Sequence, residues 1–196
     1  MNQPSVPGAA MLGHALFENA LPYAEFLSQY GTPSDQARWD AQLAKVTFTD
    51  DQRELLRSFT RECHLLVLAG AWCGDCAKAG PLLEACAALA PVLRVRYLDR
   101  DAHPEVQAEL KINGGDRVPV LVIFSEDGHE VLRFGERTLT EYRRAVQAEL
   151  PKLLRGAKIL SAEETHAAIV ADWMHELERA QWILRLSPRL RRLHAD

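Results

Sequence analysis

The segment "HLLVLAGAWCGDC", residues 64–76, restricts the fold more than any other. Its first part is a short, unbroken apolar run, the pattern of a strand buried on both faces. The residues after it carry a helical pattern from about Gly74 to Ala90, ended by Pro91. A strand that passes directly into a helix exposes the turn between them at the sheet's end. Trp72, Cys73, Gly74, Asp75 and Cys76 fall on that turn.

A strand buried on both faces needs neighbours, and the following sequence supplies them. "LRVRYLD" alternates and predicts a second strand, and "VPVLVIF" and "EVLRFG" predict a third and fourth joined by the turn "SEDGH". Short helices are expected at 103–112, with Pro104 in the first turn, and at 138–155. The order β-α-β-α-β-β-α places a right-handed crossover between two parallel strands, then an antiparallel hairpin. The predicted fold is α/β, a mixed four-stranded sheet with helices on both faces.

Helical patterns also lie outside this core. They are expected at 14–30, 34–45 and 50–60 after a flexible lead over residues 1–13. Gly31, Thr32 and Pro33 separate the first two, and Thr49 to Gln52 forms a capping box for the third. Beyond Gly156, Ser161 to Glu164 caps a long helix to about residue 186. Its apolar stripe Val170, Trp173, Leu177, Ala180 and Leu184 is expected to face the core. The closing "RLSPRLRRLHAD" is expected to be a solvated basic tail. The chain then divides into an N-terminal helical extension (1–62), an α/β domain (63–156) and a C-terminal helical extension packed on it (157–196).

The 196 residues carry a formal net charge of −4, with both signs mixed along the chain, which gives no sign of a nucleic-acid surface. No secretory signal pattern and no apolar run of about 20 residues is present, so no membrane association is expected. Four unevenly spaced cysteines are too few for a disulfide framework. A reducing cytoplasm is the expected compartment, where a close cysteine pair serves catalysis or metal binding.

The helix end favours redox chemistry. Unpaired amides and the dipole there stabilise a thiolate, the reactive form of cysteine. Cys73 is expected to be the more exposed and more acidic thiol and to attack a disulfide. Cys76, one turn on, would resolve the mixed disulfide. Zinc needs four ligands. Cys86 lies ten residues along the helix, roughly 15 Å from Cys76. Cys63, at the far end of the strand, lies well over roughly 20 Å from Cys73. Both are expected to be buried small residues, with a contact between the two left open. No metal site and no cofactor-binding motif is expected.

"WCGDC" after a buried strand resembles the W-C-G-P-C site of the thioredoxin family. Pro81 is similar to the proline inside that family's active-site helix. "Val118-Pro119" resembles its cis-proline, and Gly135 its groove glycine. The run from "YLDRDAHP" to "EVLRFG" is also similar to a bacterial branch of thioredoxin-like proteins. The resemblance covers about residues 63–155 and implies a protein thiol–disulfide oxidoreductase that reduces a protein or small-molecule disulfide. An external thiol or reductase would restore its dithiol. It also implies that Val118, Pro119 and Gly135 shape a substrate groove against Trp72. Two departures stand out. Val67 occupies the place of the family's buried aspartate, with Val95 expected nearest it on the next strand. Asp75 replaces the proline between the cysteines and is expected to raise the thiol pKa by charge repulsion, making the couple more reducing. Arg117 is a candidate to offset Asp75 or steer an acidic substrate, and Asp101 a candidate for the rim. The alternative reading is a redox sensor or protein-binding module of the same fold, without efficient turnover.

Overall fold

A computed structural model describes residues 13–152 and 160–196. Residues 1–12 of the expected lead over 1–13, and the boundary near Gly156, lie outside the described residues.

Four strands form one mixed sheet in the order β2-β1-β3-β4. They are β1 (Cys63–Ala69), β2 (Leu93–Asp99), β3 (Val120–Ser125) and β4 (Glu130–Gly135). β1 runs parallel to β2 and antiparallel to β3, and β3 and β4 form a hairpin. Every residue of β1 is buried, His64 included, which pairs with Glu62 at 2.6 Å, and the apolar run Leu65–Ala69 is what a strand covered on both faces requires.

The helices are α1 (His14–Asn19), α2 (Tyr23–Tyr30), α3 (Pro33–Leu43), α4 (Asp50–Arg57), α5 (Cys76–Leu89), α6 (Pro104–Glu109), α7 (Leu139–Glu149), α8 (Ala162–Arg185) and α9 (Pro188–His194). Capping boxes open α4 and α8 at Thr49 and Ser161, and further ones open α3 at Thr32 and α7 at Thr138. The helix expected over 14–30 is two helices. Pro22 lacks an amide hydrogen, and Leu21 leaves the helical path to exchange backbone hydrogen bonds with Tyr97 on the open edge of β2.

Val170, Trp173, Leu177, Ala180 and Leu184 of α8 are all buried. Trp173 meets Phe134 edge-on at 4.6 Å between ring centroids. The closing basic stretch is not a solvated tail. Ser187 caps α9, and Leu190 is fully buried. Arg61, ahead of β1, pairs with the Asp196 carboxylate, and Arg185 Nη1 donates to its other oxygen at 2.8 Å. One buried leucine outweighs the solvation of the arginines around it, because those side chains keep their charges at the surface.

The N-terminal helices enter the same core. Trp39 of α3 is fully buried against α5, where a Cβ on Gly80 would lie 2.2 Å from Trp39 Cζ3. Phe26, Tyr23 and Tyr97 complete an aromatic cluster around it.

Two outcomes test this packing. Gly80→Val overfills the Trp39 contact and should cost about 1–3 kcal/mol, read as a lowered urea midpoint. Leu190→Ala should cost about 2–5 kcal/mol, whereas Leu193→Ala, at a position 64% exposed, should stay within about 0.5 kcal/mol. Equal effects from the two leucine variants would contradict a docked α9.

Candidate active site

The turn between β1 and α5 is fixed from the opposite side of the chain. Trp39 Nε1 donates to the Ala71 carbonyl at 2.9 Å, and Arg38 Nη2 reaches the carbonyls of Ala71 and Trp72 at 3.1 and 2.9 Å. Cys73 N donates to Gly70 O at 3.0 Å, closing the turn. Trp72 stands 46% exposed beside the cysteines, with the Arg100 guanidinium 4.7 Å from its ring centroid.

α5 begins later than the sequence pattern suggests. Cys76 is its first residue and Asp75 its N-cap, so Cys73 lies just outside the helix. Its sulfur still faces the helix end, because Cys76 N donates to Cys73 Sγ at 3.4 Å. As a thiol, Cys73 donates to Val118 O at 3.6 Å. The Val118–Pro119 peptide is cis. Gly135 closes the other side of this segment. A Cβ there would lie 2.4 Å from Pro119 O, and its φ of +153° suits glycine. Trp72, Cys73, Val118, Pro119 and Gly135 thus meet at one end of the sheet. Gly74 has open space where a side chain would stand.

The two thiols differ in the direction expected. Cys73 is half-buried and Cys76 fully buried. A hydrogen bond from the Cys76 thiol stabilises the Cys73 thiolate most. Burial opposes it, and the amides of Cys76 and Asp75 add to it, bringing the Cys73 pKa down to about 6. Burial, then the hydrogen bond Cys76 gives to Cys73 and the charge on that sulfur, pushes Cys76 well above the ordinary thiol range.

The net shift of Cys73 is downward, as expected of the more acidic thiol, although Asp75 pushes the other way. The Asp75 charge does act to raise it, but it is the smallest of the named influences. The carboxylate is paired on both oxygens: Lys78 Nζ lies 2.8 Å from Oδ1, and Arg137 Nε lies 2.9 Å from Oδ2. Burial works to raise the Asp75 pKa, and those two hydrogen bonds more than offset it. Arg117 instead faces Glu136 at 3.7 Å. Asp101 pairs with Arg100, the residue stacked on Trp72, at 2.9 Å. Asp99 is a turn-builder, accepting from the amides of Asp101 and Ala102.

Behind the dithiol, Val67 is buried and in register with Tyr97, while Val95 pairs with Leu65. The Tyr97 hydroxyl lies 2.9 Å from Glu84 Oε1 and 3.2 Å from Gly80 O, both on α5. The carboxyl in this layer therefore comes from the helix and not from β1. Burial pushes Glu84 upward.

Cys63 and Cys86 are buried free thiols, each pushed up to about 12 by burial. Gln181 Nε2 donates to Cys63 Sγ at 3.2 Å. Among the described residues, no group of three or more His, Cys, Asp or Glu side chains could hold a metal, and no helix is long and apolar enough to cross a membrane.

Sequence reasoning missed Arg38, Trp39 and Arg137. Each acts on the cysteine turn from more than 30 residues away in sequence, so no local pattern marks it.

Comparison with known proteins agrees with this architecture. Over 62 residues the chain is 39% identical to a thioredoxin of Chlamydia muridarum, a match covering 32% of this chain and 57% of that protein. It thus spans just over half that relative's length. A crystal structure of a protein of unknown function from Pseudomonas aeruginosa superposes with a TM-score of 0.66 at 19% identity, covering 87% of this chain and 97% of the other. An HIV epitope scaffold superposes with a TM-score of 0.58 at 20% identity, covering 85% and 90%. These two likenesses concern the fold alone, and both span helices outside the sheet region. The family model described as thioredoxin matches residues 20–148, taking in α2 to α4 as well as the sheet. The chain belongs to the thioredoxin family.

Proposed function

We propose that this protein is a thiol–disulfide oxidoreductase working as a disulfide reductase in a reducing cytoplasm. The observation that carries the reading is the pairing of a half-exposed, acidic Cys73 sulfur with a buried Cys76 directly behind it.

In the proposed cycle the Cys73 thiolate attacks one sulfur of a substrate disulfide. A Cys73–substrate disulfide forms and the other substrate sulfur leaves as a thiolate. Cys76 then loses its proton and attacks Cys73. The Cys73–Cys76 disulfide forms and the second substrate thiolate is released. Two electrons pass from the dithiol to the substrate. An external thiol or reductase returns two electrons and two protons. The substrate is a disulfide-bearing protein or small molecule, whose extended segment would lie along Val118, Pro119 and Gly135 beside Trp72. Arg117 and Asp101 stand at the margin of that surface as proposed rim residues. The chemistry needs no cofactor.

Two experiments test this. Wild type should reduce a disulfide-bonded protein and a small aromatic disulfide. Cys73→Ser should abolish turnover, and Cys76→Ser should accumulate a mixed disulfide with the same protein substrate. No turnover by wild type together with no trapped adduct would leave the sensor or binding-module reading in its place. In the second experiment, the alkylation rate of Cys73 should rise with pH and reach half its plateau near pH 6, since the thiolate is the reacting form. A midpoint above pH 8 would contradict an activated thiolate.

A further inference from the structure

Asp75 poses a problem of charge. A carboxylate one residue before the resolving cysteine disfavours a second negative charge on the Cys73 sulfur. The geometry resolves this from outside the motif. Arg137 lies on the segment between β4 and α7 and reaches Asp75 across 62 residues of sequence. We propose that Arg137 is a positioning residue of the dithiol site: it holds the Asp75 carboxylate in an ion pair, so that Cys73 ionises beside a neutralised pair and not beside a carboxylate held by the exposed Lys78 alone. The proposal rests on Cys73 being the attacking thiolate.

Arg137 is better placed for this than Lys78. Lys78 is half exposed, sits on the same helix as Asp75, and also lies 3.8 Å from Glu141 Oε1. An exposed i,i+3 pair contributes little, and its flexible ammonium is readily drawn to the competing carboxylate. Arg137 is 36% exposed and Asp75 23%. Their contact joins α5 to the segment that follows the groove glycine Gly135. The nearby acids have other partners. Glu136 faces Arg117 and takes a hydrogen bond from the Tyr142 hydroxyl at 3.2 Å. Glu141 accepts from the Thr138 amide at 2.9 Å. The titratable and charged groups around the Cys73–Asp75 pair are Cys76 and Lys78 on α5, Arg137 and Glu136 on the following segment, Arg38 on α3, and Glu141, Arg144 and Glu149 on α7, which line the same hollow as Asp75.

The test uses the full-length protein and reads Cys73 ionisation directly, by the pH dependence of alkylation and of thiolate absorbance. R137Q should reduce the alkylation rate at pH 5 about threefold and move the midpoint upward by about half a unit. R137K, which keeps the charge, should stay within about twofold of wild type. D75N/R137Q should return the midpoint to the wild-type value or below it, because the carboxylate that R137Q leaves to Lys78 alone is gone. A general loosening of the turn would not be mended by D75N. A wild-type midpoint in R137Q, or a double variant that fails to return, overturns the proposal. Alkylation needs no disulfide substrate, so the two readings fail separately. Absent turnover with a shifted R137Q midpoint removes the reductase reading alone, whereas normal turnover with an unshifted midpoint removes the role of Arg137 alone.

Discussion

The contact between α3 and α5 governs the rest of this structure. Trp39 fills the space that Gly80 leaves open and, through its indole nitrogen, holds the Ala71 carbonyl at the mouth of the cysteine turn. One side chain thus sets how closely the cysteine-bearing helix approaches its neighbour and where the preceding loop lies. A carbonyl at such a turn has no ladder partner, and leaving it unpaired in a dry interior is costly. Arg38 Nη2 adds two further hydrogen bonds to the same stretch of backbone. The helices before the sheet are therefore structural members of the site, which fits a family match that begins at residue 20.

The site's electrostatics follow from placing the two sulfurs in different surroundings. Cys73 sees amide hydrogens, a thiol and partial water, and each of the first two favours its anion. Cys76 sees the core, and its neutral form is favoured. This asymmetry does not require a buried carboxylate on β1, where Val67 stands. Nor does Asp75 undo it, since a carboxylate with a cation on each oxygen projects little field onto a neighbour.

The sheet and the cysteine turn were legible in the sequence because their signals are local. An apolar run of seven residues, a strand alternation, a hairpin turn and four residues of capping box each specify structure within one turn or strand. The closing "SPRLRRLH" misled for a related reason. Its composition is basic, but a single leucine at the right phase decides that it docks. The split of the first helix was hidden because Leu21 turns toward Tyr97, more than 70 residues later in the chain. The register of Val67 against Tyr97, and not Val95, is likewise fixed only by how β1 and β2 align. Arg137 was invisible for the strongest reason. Arg117 stood nearer the proline in sequence, yet the guanidinium that meets Asp75 arrives after the hairpin has returned the chain to the same end of the sheet.

The Trp39–Ala71 contact also bears on the order in which the chain can acquire structure. Synthesis runs from the N-terminus, so α2 and α3 leave the ribosome before the strand and helix that cover them. Until Ala71 and then Gly80 have emerged, the indole of Trp39 lacks first its acceptor and then its wall. The aromatic face it shares with Phe26 and Tyr23 stays open to solvent or to a chaperone during that interval. The helices that hold the cysteine turn are thus made before the partners that bury them.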